Sequence, residues 1–410
     1  MTVPPSASPG AQGAPLRPQA FPSPLAQPPH AAPEVIRPPH EPPPSIALPV
    51  APARRLGAGV VWTFGVLALL LVVVVAYFLW VIGPEASLLG MVLALVPFAL
   101  VLATLRLVDR WEPEPRRLVA LALCWGAIAA VAIALGVDLL LVLAFGAGDS
   151  DFDEFLTTVV QAPVVEEIAK GLGLLVILAV GRRAFDGPVD GIVYGGLIGA
   201  GFAFTENIQY FAIALIDGGV AEAGITFFLR GILSPFAHVM FTAVTGLAVG
   251  LAARRGARVR GALGPWLGGL VGAIALHALW NGSALLGDFF VLYATLQVPL
   301  FVLFIVGVLL LRAEEARLTR LRLGEYAAAG WFTPQEVEML ATRPGRRDGL
   351  RWAATLPGDR TRAMRGFIHD AAALAAARQR VVTGRDPGAR ADEQALLVRT
   401  AAARRTLFSP

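Results

Sequence analysis

Between residues 59 and 311 the chain is a succession of eight apolar runs, each long enough to cross a bilayer as a single helix. About 20 residues at 1.5 Å of rise cover the roughly 30 Å of hydrocarbon in a membrane. Within that hydrocarbon every backbone N–H and C=O must find a partner inside the protein, which a helix supplies locally. The expected spans lie near 59–82, 88–106, 117–145, 155–181, 190–215, 225–253, 264–286 and 289–311. The predicted fold class is therefore all-α, a polytopic membrane helix bundle of about eight transmembrane helices.

Arginines give these spans a direction. Arg54 and Arg55 precede the first; Arg106, Arg110, Arg116 and Arg117 separate the second from the third; Arg182 and Arg183 follow the fourth. Arg254, Arg255, Arg258 and Arg260 follow the sixth, and Arg312 opens a basic stretch after the eighth. The alternate loops, 83–87, 146–154, 216–224 and 286–289, hold neither Lys nor Arg, and 146–154 carries four acids. Basic loops stay on the cytoplasmic side. A multi-pass protein of the cell membrane with both termini in the cytoplasm is expected. The same distribution accounts for the net charge of +4, so nucleic acid is not expected as a partner. The single cysteine, Cys124, excludes an intramolecular disulfide and a cysteine-based zinc site. No cleavable signal peptide is expected, because the first apolar run begins only near Gly59.

Three regions follow. Residues 1–54 are proline-rich and poor in aromatic and β-branched side chains, and a disordered cytoplasmic tail is expected there. Residues 55–312 form the membrane domain. Residues 313–410 are polar and Ala/Arg-rich, and a helical cytoplasmic tail able to engage a cytoplasmic partner is expected. In it, Thr333-Pro334-Gln335-Glu336 reads as a helix start, with Thr333 as N-cap and Glu336 closing a capping box.

The lysine content of the chain is one residue, Lys170, and it lies inside the fourth span, one turn after Glu166 and Glu167. Charged side chains at bilayer depth cost several kcal/mol unless paired, and by default they mark a functional site. Measured from the cytoplasmic end of each span at 1.5 Å per residue, Glu166, Glu206, His238 and His277 all fall roughly 21–24 Å in. Polar residues on four spans of alternating direction thus share one level, in the outer half of the bilayer. Glu166 and Lys170 are i,i+4 and pair on one helix face. Two adjacent carboxylates in a low dielectric do not both ionise easily, which makes the pair a candidate acid or base. Glu206-Asn207 follows a glycine-rich stretch on the fifth span, where small residues permit close helix approach. The sixth span carries Arg230 near the outer surface, expected as an interfacial anchor able to steer an acidic stretch of substrate, and then His238-x-x-x-Thr242. On the seventh, His277-x-x-x-Asn281 places two hydrogen-bond donors on one face, suited to a developing oxyanion.

Taken in order, Glu166-Glu167-x-x-Lys170, Phe202-x-x-x-Glu206-Asn207, His238-x-x-x-Thr242 and His277-x-x-x-Asn281 resemble the PrsW family of intramembrane proteases. More distantly they resemble the type II CAAX prenyl endopeptidases and the CPBP proteins. The resemblance covers about residues 60–312. It implies a glutamic-type peptidase that cuts the extracytoplasmic portion of a single-span membrane protein, with an anti-sigma factor as the substrate class. It implies Glu166, Glu167 and His238 as essential groups and His277 with Asn281 as the oxyanion pair. Two departures stand out. The distant relatives place an arginine farther from the paired glutamates, and they carry a histidine where this chain has Glu206, so Glu206 is expected to orient a histidine with Asn207.

The expected chemistry is water activation by Glu166 or Glu167 assisted by His238, with no cofactor. Zinc, held by two histidines and a glutamate, is the less favoured alternative. An ion-coupled transporter and a catalytically silent membrane scaffold remain the other two classes that buried charges on glycine-rich helices permit.

Overall fold

The computed structural model describes residues 58–146, 148–285, 288–384, 386 and 388–408. The expectations for residues 1–54, including Arg54, lie outside the described residues. Among the described residues there are helices and no strands. One compact unit covers Arg55–Leu311, and a second gathers the residues from Arg312 onward.

In the membrane unit α1 covers Ala58–Tyr77, α2 Pro84–Val108, α3 Arg116–Cys124 and α4 Val131–Phe145, the last two joined by a π-helical turn at Trp125–Ala130. A short α5 (Asp151–Phe155) and a second π-turn (Leu156–Gln161) lead into α6, Ala162–Gly181. Next come α7 (Pro188–Thr226), α8 (Ala237–Arg254), α9 (Val259–Leu285), α10 (Phe289–Leu292) and α11 (Val298–Ala328). Among the described residues, six helical runs are long and apolar enough to cross a membrane. One of these, Pro188–Arg254, is 67 residues long, more than twice what a bilayer requires. Gly219, at φ 66° and ψ −153°, turns the chain within it. The expected fourth span is absent from the six, and it is the stretch that carries Glu166, Glu167 and Lys170. The expected sixth span is not one helix. A π-turn at Phe227–Leu233 ends at Ser234, and α8 begins only at Ala237, because Pro235 has no N–H to continue the ladder.

Large apolar side chains on the outer helices face away from the protein, among them Trp62 and Trp80 at the two ends of the first run. Such faces suit lipid, and tryptophan suits the membrane–water interface. The centre of the unit is α7, which is buried along most of its length. Its glycines let other backbones touch it. A Cβ on Gly195 would stand 2.6 Å from the Thr242 carbonyl oxygen, and one on Gly199 would collide with the carbonyl of His238. Gly191 meets Gly246 in the same way, so α7 and α8 run antiparallel in near backbone contact. That contact brings the first turn of α8, with His238, beside Phe202 and Glu206.

At the other end of α7, Asp190 accepts from the N–H groups of Asp186 (2.8 Å) and Gly187 (2.6 Å) and caps the helix. Tyr194 donates its hydroxyl to Glu114 at 2.5 Å, and the N–H of Glu114 donates to Asp109 at 3.1 Å. Burial, and then the nearby Asp190, push the Glu114 carboxyl well above the usual carboxylate range.

The second unit continues with α12 (Pro334–Ala341), α13 (Arg343–Thr355), α14 (Thr361–Thr383) and α15 (Ala389–Phe408). The helix start expected at Thr333 is present. Thr333 accepts from the Glu336 N–H at 3.1 Å, and Glu336 accepts from the Thr333 N–H at 2.7 Å. Tyr326, Trp331, Phe332, Phe367 and Leu374 form its core.

A buried acid whose folded pKa is raised favours the fold when protonated, and that contribution is lost as pH rises from the unfolded value toward the folded one. The stability of the protein in detergent should therefore fall across a window that opens near pH 4.5, the ordinary glutamate value, and extends well above it. Glu114→Gln should remove that part of the slope, matching wild type in acid and exceeding it at pH 8. Thermal unfolding of both proteins across this range checks it; parallel curves would show that Glu114 is ionised at no cost.

Candidate active site

Helix α6 carries Glu166, Glu167 and Lys170 within little more than one turn, Glu166 and Lys170 sharing a face. The Lys170 ammonium is fully buried and lies 2.7 Å from Glu167 Oε1, 3.3 Å from Glu166 Oε2 and 3.0 Å from His238 Nδ1. An ammonium has three N–H donors and no acceptor, and here it has three acceptors. The ring of Phe202 closes the fourth side, 3.9 Å from Nζ. Because Lys170 can only donate, His238 must accept at Nδ1 and carry its proton on Nε2, an assignment that rests on the hydrogen-bond network. That Nε2–H faces Glu206 Oε2 at 2.8 Å.

Glu206 is held from the other side by Arg230, which also donates Nε to Asn207 Oδ1 at 2.8 Å and stacks 3.8 Å over the Tyr210 ring. Arg230 was expected as an outer anchor, but it turns inward. A carboxylate in a low dielectric draws the nearest guanidinium, and the break at Ser234–Phe236 gives the preceding π-turn freedom to aim it.

The two adjacent glutamates have different surroundings. Glu167 is completely buried and accepts from Lys170, from Thr242 Oγ1 (3.1 Å) and from His277 Nδ1 (3.2 Å). Both its oxygens are engaged. Glu166 keeps 13% of its side chain accessible and faces a cavity of about 150 Å³ between α4, the Leu156–Gln161 turn and α7. Across from it, His277 Nε2 stands 4.0 Å from Glu166 Oε2. The rings of His238 and His277 meet edge to face at 5.0 Å, and Phe241 stacks on His277 at 4.8 Å.

Asn281 sits one turn along α9 from His277, but it donates Nδ2 to the Thr158 carbonyl at 2.9 Å. It thereby supplies a partner to the irregular backbone of the π-turn that precedes α6. Two tryptophans hold the same helix. Trp125 Nε1 donates to the Ala169 carbonyl at 3.0 Å, and Trp266 Nε1 donates to the Gly171 carbonyl at 2.8 Å. Sequence reasoning missed Trp125, Trp266 and Thr158. Two indole N–H groups well inside apolar runs were the available signal, since a buried indole N–H must find an acceptor.

Glu166, His238 and His277 offer donor atoms that all lie within 4.8 Å of one another, and their chemical types suit zinc. The charge arrangement does not suit it. A dication bound to Glu166 and His238 would lie within about 4 Å of the Lys170 ammonium, where two like charges in a low dielectric repel strongly. His238 also has both ring nitrogens engaged, one with Lys170 and one with Glu206. The Lys170 ammonium beside these acids weighs against a divalent metal held by Glu166 and His238.

Residues 114–308 match the profile of the family described as PrsW family intramembrane metalloprotease. Protease PrsW of Bacillus subtilis (strain 168) is 30% identical over 158 residues, which is 38% of this chain and 66% of that protein. Protease PrsW of Oceanobacillus iheyensis is 32% identical over 98 residues, 24% of this chain and 41% of that protein. The chain thus spans just under two thirds of one curated relative and about two fifths of the other. No solved structure matches it. The matched segment begins at the buried Glu114 and contains every charged and polar side chain of the α6–α9 cluster, and over this segment the chain is similar to the PrsW family.

Proposed function

We propose that this multi-pass membrane protein is an endopeptidase that hydrolyses a peptide bond near the extracytoplasmic end of a membrane-protein substrate. The observation that carries the reading is the asymmetry of the glutamates: Glu167 is fully buried with both oxygens accepting, from three donors in all, whereas Glu166 faces a cavity with a histidine nitrogen 4.0 Å away. One water molecule can hydrogen-bond across such a gap.

In this reading Glu166 is the general base. It takes a proton from that water as the water oxygen attacks the scissile carbonyl, and it returns the proton to the departing amine as the C–N bond breaks. His277, whose Nδ1–H is committed to Glu167, presents Nε2 as an acceptor and holds the water. The nearest positive charge is the Lys170 ammonium, 3.3 Å from the same carboxylate oxygen, and its fixed field favours the developing oxyanion. The geometry supports moving the water-holding role from His238, where the sequence reading put it, to His277. His238, with both nitrogens occupied, positions Lys170 and Glu206, while His277 faces the reacting atoms. Asn281, whose amide is donated to Thr158, is likewise a positioning residue. A single-span substrate, the anti-sigma factor class, cytoplasmic termini and a cytoplasmic partner for the C-terminal unit complete the proposal. These rest on the family resemblance and on the arginine distribution.

Comparative membrane proteomics of a strain lacking this gene should reveal a protein that stays uncut, and that protein reconstituted with the purified chain should be cleaved. Glu166→Gln should lower cleavage at least about 100-fold, the scale of a lost acid–base group, while the protein still folds and inserts. Glu167→Gln should lower stability as well, because it weakens the acceptor shared by Lys170, Thr242 and His277. Full cleavage by Glu166→Gln would remove the proposed base.

Purified protein should contain less than about half an equivalent of any transition metal, since a real site binds near one. Cleavage should survive chelators. Stoichiometric zinc whose removal abolishes activity would turn Glu166, His238 and His277 into ligands and displace Lys170 from its central place.

The reactive level lies about 22 Å from the cytoplasmic boundary by helix rise. A bond must leave its helix to be attacked, which is easiest near the outer interface where water replaces the lost partners. Mass spectrometry of the released fragment should place the cut at the outer end of the substrate's span; a cytoplasmic cut would contradict the depth and the orientation.

A further inference from the structure

The cavity above Glu166 is lined by apolar walls and has a polar mouth. Val131, Ala134, Leu135, Ala162, Val165 and Phe202 form the walls, with Glu166 and Glu206 at the floor. Asp138, Gln161, Gln209 and Tyr210 also line it. Counting residues from the cytoplasmic ends of their helices places Asp138, Gln161 and Tyr210 at about 30 Å, and Glu166 about 8 Å deeper. The cavity is thus a short shaft that descends from the outer interface to the proposed base. Its volume of about 150 Å³ suits one aliphatic side chain, and apart from Thr157 the six apolar side chains above form its walls.

The charge at the mouth is of one sign. Asp138 is exposed on α4, where a charge at the rim of an apolar helix has no structural need, and Gln161 holds it by donating Nε2 at 3.1 Å. Arg230, which stacks on Tyr210, is committed to Glu206 and Asn207. Asp149, Asp151, Asp153 and Glu154 belong to the loop that leads into the adjoining π-turn, and that loop has no basic residue. An acidic substrate segment steered by Arg230, the sequence expectation, would meet this rim with the wrong charge.

We propose that the shaft is the side-chain pocket of the substrate, and that Asp138 at its mouth selects a basic residue just outward of an aliphatic one. The aliphatic side chain fills the shaft beside Glu166. The next residues of the unwound segment pass the rim, where the Asp138 carboxylate pairs with a lysine or arginine and Gln161 and Gln209 offer amides to the freed backbone. This rests on the peptidase reading, and the test separates the two.

Three single-span fluorescent peptides are used, each with valine at the position outward of the span centre and with Lys, Gln or Glu following it. They are reconstituted in neutral-lipid vesicles with the full chain. Cleavage is measured with the wild type, and binding by fluorescence with Glu166→Gln, which holds peptides without cutting them in this reading. The Lys peptide should be bound and cut about tenfold better than the Glu peptide, the scale on which a rim charge discriminates, and the difference should shrink at high salt. Asp138→Asn keeps the bond to Gln161 and should erase the preference; Asp138→Lys should invert it. Ala134→Trp, which fills the shaft, should weaken binding of all three, and a tryptophan in place of the peptide's valine should do the same to the wild type. A Lys preference in binding with no cleavage of any peptide would sustain the pocket and overturn the peptidase reading. Equal binding of the three peptides, or a preference untouched by Asp138→Asn, would overturn the pocket.

Discussion

Everything at the centre of the membrane unit depends on one buried ammonium. Lys170 satisfies Glu166, Glu167 and His238 at once, and each of those groups carries the order one step farther. Through Glu167 it fixes Thr242 and His277; through His238 it reaches Glu206 and, beyond that, Arg230 and Asn207. Five helices and turns are thus tied into one hydrogen-bonded network. Removing one partner from a buried ion pair costs about 3–5 kcal/mol, because the remaining charge is left without compensation. Arginine would be a poor substitute. Its planar fork matches two oxygens of one carboxylate, whereas the acceptors here belong to three residues around a point, with an aromatic ring on the remaining side.

Such a network needs helices closer together than ordinary side chains allow, and α7 provides this. Its glycines meet the α8 backbone at Gly191, Gly195 and Gly199. In lipid there is no hydrophobic drive between helices, so close van der Waals approach and buried hydrogen bonds supply the association. The two contributions reinforce one another. The glycine contact sets the register that places His238 opposite Glu206, and the His238–Glu206 bond in turn fixes that register.

The common depth of Glu166, Glu206, His238 and His277 was legible in the sequence, because helix rise converts residue number into distance and apolar runs define the origin. So was the meeting of Glu206 with a histidine, through its position one helix away at the same level. What was not legible follows from local backbone departures. Depth alone cannot separate Glu166 from Glu167, which differ only by a rotation about α6; their environments are decided by which neighbours α7, α8 and α9 present. The break at Ser234–Phe236 moved His238 into the first turn of a new helix and turned Arg230 inward, and Pro235 was its only visible mark. Asp138 went unnoticed because one acid near the end of a long apolar run is an ordinary sight, and its meaning depends on Gln161 standing opposite.

Charge counting joins the site to its proposed chemistry. The cluster holds three carboxylates, Glu166, Glu167 and Glu206, against two permanent cations, Lys170 and Arg230. Arg230 belongs to Glu206 and the shortest bond of Lys170 belongs to Glu167, so Glu166 is the acid with the weakest claim on a cation. Glu166 is also the member of the adjacent pair that faces the cavity. In the proposed mechanism the weakest ion pairing and access to the reactant therefore coincide on Glu166, while the rest of the network holds the other two carboxylates in place.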